Sequence, residues 1–304
     1  MSLVVAVVGP TAVGKSKLGA LLARTFNGEI VSADSRQVYR YMDIGTAKPT
    51  ADERSAVLHH LIDVVDPDAD FSVALYQSLA SEAIREVMQH GRLPVVVGGS
   101  GLYVWSLVEG WDIPGVEPDV GFRKRLEERA ATEGARSLHQ ELEKIDRKTA
   151  DSIDPRNVRR VIRALEIHHT NGAVGPPSRR KKQPPFETLI VGLTAERRRL
   201  YQMIDRRVDR MVEEGLVEEV KGLLGRGYGP DLPSMSSVGY KEICQFISGK
   251  MDMATAMQRI KFETHRFARH QYAWFRLSDP RIHWFDVDDE AEARALKTVG
   301  EALK

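Results

Sequence analysis

Residues 3–8 read Leu-Val-Val-Ala-Val-Val, an unbroken apolar run rich in β-branched side chains. A run this short and this continuous predicts a strand buried on both faces. Similar runs at 29–33 (EIVSA), 61–65 (LIDVV), 94–97 (PVVV) and 188–192 (TLIVG) predict further strands. Between them the apolar positions recur at helical spacing. Leu18, Leu21 and Leu22 mark a helix over 17–24, and a longer one over 72–90 opens on Ser72 as its N-cap. Strands alternating with helices predict an α/β fold, a parallel sheet of P-loop type with helices on both faces. The pattern changes at 114. From there to 187 no strand is predicted, and charged helical segments occupy 122–133 and 136–150. Pro114 and Pro118 open this stretch; GAVGPP at 172–177 and Pro184-Pro185 close it. It reads as a mostly helical insertion, 114–187, in a core made of 1–113 and 188–304. After 192 the pattern is helical to about Leu277, with turns over 225–233.

Ligands of parallel sheets bind beyond the carboxyl ends of the strands. Three loops belong there: 9–16 after the first strand, 34–37 after the second and 98–101 after the fourth. The first consists of Gly9, Pro10, Thr11, Ala12, Val13, Gly14, Lys15 and Ser16, a full match to G-x-x-x-x-G-K-[ST]. A strand precedes it and a helix follows, the context that turns this spacing into a phosphate site. Loop amides and the positive end of the helix dipole face a polyphosphate. Lys15 adds a point charge, and the Ser16 hydroxyl is placed to ligate Mg²⁺. The loop alone does not say which diphosphate or triphosphate it holds, ATP included.

Composition narrows the class. A charged fraction of 29% and an aromatic fraction of 7% are ordinary for a soluble globular enzyme. The one cysteine, Cys244, excludes an intramolecular disulfide and a multi-cysteine zinc site, and its apolar surroundings predict a buried, inert thiol. No apolar run approaches the length of a membrane helix, and the chain begins directly with a strand, so a cytoplasmic protein without membrane contact is expected. The net charge of +1 is unevenly distributed: −4 over 1–113, +4 over 114–187 and +1 over 188–304. A basic middle segment suggests a local polyanion contact, though a solvated surface is the commoner origin of so modest an excess.

Several residues stand out against this frame. Asp34 ends a buried strand at the mouth of the phosphate site, where a carboxylate serves as general base, metal ligand or turn cap. Asp154-Pro155 reads as a helix start, and Arg156, Arg159, Arg160 and Arg163 then fall at i, i+3, i+4 and i+7 on one face. Val158, Val161, Ile162 and Leu165 form the opposite face. Like charges at this spacing oppose the helix, so an RNA or phosphate partner explains the stripe better than solvent does. Arg206 and Arg207 lie beside inward-facing Met203, Val208 and Met211; spacing alone leaves open whether they turn to a diphosphate or pair with Asp205 and Asp209. Arg266, Arg269, His270 and Arg276, mixed with Phe267, Tyr272, Trp274 and Phe275, would suit RNA, although aromatics so spaced more often form core. The pairs His59-His60 and His168-His169 do not share a helix face and lack an acidic frame for a metal.

GPTAVGKS at 9–16, SADSRQ at 32–37, MDIGTAKP at 42–49, HLID at 60–63, GGSGLY at 98–103, RALE at 163–166 and SVGYKE at 237–242 together resemble the bacterial tRNA dimethylallyltransferases. The likeness spans nearly the whole chain, and MDIGTAKP is far more specific than the phosphate loop. It implies transfer of a dimethylallyl group from dimethylallyl diphosphate to N6 of the adenosine just 3′ of the anticodon. An exocyclic adenine amine is a poor nucleophile and needs a base, for which Asp34 is the candidate. Lys15, Thr11, Ser16-bound Mg²⁺ and, by the resemblance, Arg207 would stabilise the leaving diphosphate. An unpaired loop base costs little to extrude into a pocket. The resemblance further implies tRNA contacts from Asp34, Ser35, Arg36, Gln37, Ser100, Arg123, Arg159, Arg160, Val161, Ile162 and Arg163, with the insertion gripping the anticodon stem-loop of a tRNA and the enzyme acting as a monomer. Two departures are visible. Arg269-His270-Gln271 stands where the family usually has Lys-Arg-Gln, so any phosphate contact at 270 is weakened at neutral pH. The zinc finger of the eukaryotic relatives is absent, as one cysteine requires.

Competing functions fare less well. A small-molecule or nucleotide kinase would use the same loop for ATP but has no need of a four-arginine helix in a basic insertion. A GTPase-like switch would carry an Asn-Lys-x-Asp guanine motif, which is missing. A free-adenylate prenyltransferase is the nearest chemical rival, and the long insertion argues against it.

Overall fold

The computed structural model describes residues 3–113, 115, 116, 118–171 and 186–304. Pro114, the 172–177 run and Pro184-Pro185, which mark the insertion's edges in the sequence, lie outside the described residues. The chain divides into two compact units: Met1–Val108 with Pro184–Lys304, and Glu109–Gln183.

The first unit begins β1 (Leu3–Val8), α1 (Lys15–Thr25), β2 (Gly28–Ser32), α2 (Ala51–Ala56), β3 (His59–His60), α3 (Val73–Gln89), β4 (Leu93–Val97) and α4 (Gly101–Val108). The second contains α5 (Val120–Glu133), α6 (Ala135–Ile145), α7 (Arg147–Asp151) and α8 (Val158–Asn171). The first unit then resumes with β5 (Glu187–Thr194), α9 (Arg197–Glu213), α10 (Leu216–Gly225), α11 (Tyr240–Ile247), α12 (Met253–Trp274), β6 (Ile282–Asp286) and α13 (Ala291–Ala302). Its six strands pair in parallel in the order β3-β2-β4-β1-β5-β6. Successive residues Val4–Val8 of β1 and all of β4 are buried. Side chains on both faces are therefore covered, which is why these strands read as continuous apolar runs.

Most predicted elements are present, with informative displacements. The strand expected over 61–65 is instead β3 at His59–His60; Leu61 (φ 63°) and Asp63 (φ 57°) take left-handed backbone that no strand can continue. The edge strand β6 went unpredicted. In the second unit the expected 136–150 helix is broken at Asp146, whose carboxylate caps α7 through Thr149 N. Asp154 does not cap α8: it accepts from Arg156 N within the preceding turn, and Asn157 Oδ1 takes the Arg160 amide at the true start. Ser72 does cap α3, accepting from Leu75 N.

The second unit has its own core of Leu126, Leu138, Leu142, Val161, Ile162 and Leu165. Within it, the buried Glu166 carboxylate accepts from Arg123 Nε and Nη2 at 2.9 Å each, from Arg163 Nη1 at 2.5 Å and from Asp119 N at 2.7 Å. Burial alone would raise this carboxyl, but those donors hold it below the usual carboxylate range. Among the described residues, no helix is long and apolar enough to cross a membrane.

Candidate active site

The phosphate loop is shaped by how tightly β1 ends. Gly9 has φ 140°, and a Cβ there would lie 2.3 Å from the Leu193 carbonyl oxygen of β5, so only glycine lets the chain turn out of the sheet here. Gly14, also left-handed, opens α1 without a side-chain cap, leaving the first amides of the helix to a ligand. The loops after β2 and β4 meet beside it: Ser35 N donates to Ser100 Oγ at 3.0 Å, and Ser100 N to the Ala33 carbonyl at 3.2 Å.

These loops border a cavity of about 830 Å³ whose walls include Thr11, Lys15, Ser16, Asp34, Gln37, Arg206 and Arg207. Apolar wall is supplied by Ile44, Ala47, Met203 and Met211. Arg207 is turned inward and donates through Nη1 to Thr11 Oγ1 at 3.3 Å, while Asp205 and Asp209 pair with His265 and Lys261. The question left open by spacing is thus resolved for Arg207 in favour of the phosphate loop. Lys15 Nζ donates to the Pro10 carbonyl at 2.6 Å. Desolvation, and then repulsion from Arg207, draw the Lys15 ammonium down to about 7, with Asp34 pulling the other way. Burial likewise lowers Arg207, and Asp34 again opposes it. Asp34 Oδ1 accepts from Arg36 N at 2.8 Å, so its turn-capping role is real, yet the carboxylate still borders the cavity.

A smaller cavity of about 300 Å³ adjoins, lined by Ser35, Ser100, Tyr103, Phe267, His270 and Trp274 among others. Gly99, Phe267 and Gln271 belong to both cavities. Phe267 and Trp274 are 47% and 36% exposed, whereas Phe275 is core, so the C-terminal aromatics do not all pack inward.

Three residues that spacing did not single out hold the walls. Glu219 of α10 accepts from the amides of Asp43, Ile44 and Gly45 and from the Tyr240 hydroxyl, fixing the MDIGTAKP segment. Lys48, buried, donates to the Tyr39 carbonyl, Asp43 and Asp63 at 2.6–2.7 Å. Gln271 accepts from Thr11 N at 2.7 Å and donates to the Gly99 carbonyl at 3.0 Å. Gln37, expected at the RNA, spends its amide on the Thr46 and Ala47 carbonyls and on Ser32. Arg36 reaches the Pro233 carbonyl.

In the second unit the arginine stripe needs correction. Arg156 is paired with Asp154, and Arg123 and Arg163 are committed to Glu166. Val161 and Ile162, expected at the RNA, are 0% and 3% exposed; their side chains form core and cannot touch a ligand. Arg159 and Arg160 are exposed, and no ion pair engages either among the described residues. Cys244 is buried, and burial raises its thiol.

For Mg²⁺ the residues present fit. Ser16 is exposed on the cavity wall, and among the described residues no three His, Cys, Asp or Glu side chains cluster as a cage. One hydroxyl beside a phosphate loop suits an ion that keeps its waters and takes its remaining oxygens from a phosphate ligand.

Residues 37–278 match the family model described as IPP transferase. A Thermomicrobium roseum protein named tRNA dimethylallyltransferase is 51% identical over 284 residues, covering 93% of this chain and 86% of the relative. A Dehalococcoides mccartyi protein of the same name is 44% identical over 297 residues, covering 98% and 91%. The crystal structure of the full-length tRNA isopentenylpyrophosphate transferase of Bacillus halodurans has a TM-score of 0.74 at 43% identity, covering 100% of this chain and 97% of that one. Crystallographic snapshots of a eukaryotic dimethylallyltransferase acting on tRNA give 0.84 at 28% identity, covering 99% and 79%.

Proposed function

The chain belongs to the IPP transferase family, and from that premise we propose that it moves the dimethylallyl group of dimethylallyl diphosphate to N6 of the adenosine 3′ of a tRNA anticodon. The observation that carries this reading is the convergence of the phosphate loop, Arg207 and Asp34 on one cavity with an apolar side. Loop and arginine suit a diphosphate; Ile44, Ala47, Met203 and Met211 suit a five-carbon chain; the carboxylate suits an amine that must lose a proton.

The steps follow from these groups. Asp34 takes the proton of the adenine amine as nitrogen attacks the allylic carbon. The carbon–oxygen bond to diphosphate breaks as the new carbon–nitrogen bond forms. Charge then grows on the departing diphosphate, where the amides opening α1, Lys15 and Arg207 stabilise it. Thr11 Oγ1 accepts from Arg207, so its own hydroxyl proton is available to a diphosphate oxygen. Bound Mg²⁺, held by Ser16 and the diphosphate, would supply further charge neutralisation. The tRNA stem-loop is met by Ser35, Ser100 and the exposed aromatics of α12 in one unit, and by Arg159 and Arg160 in the other. The enzyme works as a monomer in the cytoplasm, where its tRNA is.

The test compares turnover with dimethylallyl diphosphate, ATP and GTP in the presence of unmodified tRNA. Prenyl transfer with negligible nucleotide hydrolysis is expected. Rapid hydrolysis of ATP without prenyl transfer would identify a kinase-like enzyme instead.

A further inference from the structure

Gln271 belongs to α12, far along the chain from the phosphate loop, yet the residue is only 4% exposed and its side-chain amide bridges two loops of the site. Oε1 accepts from Thr11 N at 2.7 Å, and Nε2 donates to the Gly99 carbonyl at 3.0 Å. The two partners have opposite polarity, so the amide can sit only one way round. A Cβ at position 99 would lie 2.1 Å from Nε2, which makes glycine at 99 part of the same device. Thr11 is thereby held twice, through its amide by Gln271 and through its hydroxyl by Arg207. The Gly99 loop carries Ser100, whose hydroxyl accepts from the amide next to Asp34. One side chain therefore spans from the diphosphate side of the site to the loop that braces the base. It also stands in the wall common to the two cavities.

We propose that Gln271 is a positioning residue, setting the separation between a donor held at Thr11 and an acceptor amine that comes to Asp34 past Gly99. This rests on the transferase reading above. Gln271 acts through Thr11 and Gly99. Its removal should therefore leave both substrates bound and misplace them, and a misplacement of about 1 Å costs on the order of 10²-fold in rate.

Gln271→Leu removes both bonds at similar volume, and Gln271→Glu keeps the shape but sets a carboxylate oxygen against the Gly99 carbonyl. Protonation of the introduced carboxylate restores the pattern, one oxygen accepting from Thr11 N and the hydroxyl donating to Gly99. Single-turnover rates are measured at saturating dimethylallyl diphosphate and tRNA, with inorganic pyrophosphate binding and tRNA binding measured separately. We expect Gln271→Leu to lose about 10²-fold in rate with both affinities within about threefold of wild type. The ratio of Gln271→Glu rate to wild-type rate should climb as pH falls from 8.5 to 6. Lys15, Asp34 and Arg207 in the larger cavity and Tyr103 and His270 in the smaller are common to both enzymes, so the ratio isolates position 271. A wild-type rate in folded Gln271→Leu, a loss confined to either affinity, or a flat ratio would each overturn the proposal. If Gln271→Leu does not fold, the Gln271→Glu ratio decides alone. Absence of transfer by the wild-type enzyme would instead remove the transferase reading.

Discussion

Lys15 Nζ donates to the Pro10 carbonyl oxygen at 2.6 Å, so the ammonium that the phosphate loop offers to a ligand is turned back on the loop itself. Half-buried there beside Arg207, it is drawn down to about 7 by desolvation and then by that neighbouring charge. A diphosphate replaces the lost hydration with negative charge and must pull the lysine back up. The complex then favours the protonated form more than the free enzyme does. Donor affinity is in full force below about pH 7 and declines as pH rises above it, by up to tenfold per pH unit. Titration calorimetry at pH 8 in buffers of different ionisation enthalpy should show proton uptake on pyrophosphate binding, abolished in Lys15→Ala. Uptake unaltered by Lys15→Ala would assign it to another group.

Asp34→Asn separates the base from the turn. The amide oxygen can still accept from Arg36 N, so the loop should hold. Turnover should fall by about 10²–10⁴, the usual contribution of a general base, with donor affinity little changed. Near-normal single-turnover rates in this variant would remove Asp34 from the chemistry.

The arginines of the second unit should split into two classes. Arg159 and Arg160, exposed and without an ion pair among the described residues, are expected to meet RNA phosphates. Changing both to Ala should weaken tRNA binding and reduce the slope of log affinity against log salt by roughly one per lost contact. The slope is read from a salt series of tRNA binding, and an unchanged slope would make this face solvated surface.

Arg123 is expected to behave as a structural residue. Arg123→Ala strips two donors from the buried Glu166 carboxylate and should cost about 1.5–3 kcal/mol. Because the folded carboxyl lies below its unfolded value, the stability it confers is complete above about pH 4.3 and fades as pH falls through the folded value. The gap between urea melts of wild type and variant should therefore be smaller at pH 3.5 than at pH 7. A gap that stays constant would contradict the ion-pair account.

Legibility of the chain followed the range of its interactions. The phosphate loop, the strands beside it and the α3 cap were readable because each depends on residues within a few positions. The strand expected at 61–65 failed because Lys48 draws Asp63 into an ion pair and the backbone around it is left-handed, which the apolar pattern cannot register. The strand β6, Ile-His-Trp-Phe-Asp, lies at a sheet edge and lacks the apolar continuity of the central strands. The arginine stripe over 156–163 looks uniform in sequence, but Asp154 and Glu166 claim two of its members, and Arg156 lies in the turn before α8. The roles of Glu219 and Gln271 are not legible for a different reason: Gln271's partners and three of Glu219's are backbone amides and carbonyls more than a hundred residues away, and any sequence supplies those.

The most direct test of the account is to digest an unmodified tRNA after incubation with enzyme and dimethylallyl diphosphate, and to map the products by mass spectrometry. The account predicts one added C5H8 unit, confined to the adenosine 3′ of the anticodon and formed about 10²–10⁴-fold more slowly with Asp34→Asn. An unmodified tRNA, or the same unit appearing on free AMP in its place, would contradict it.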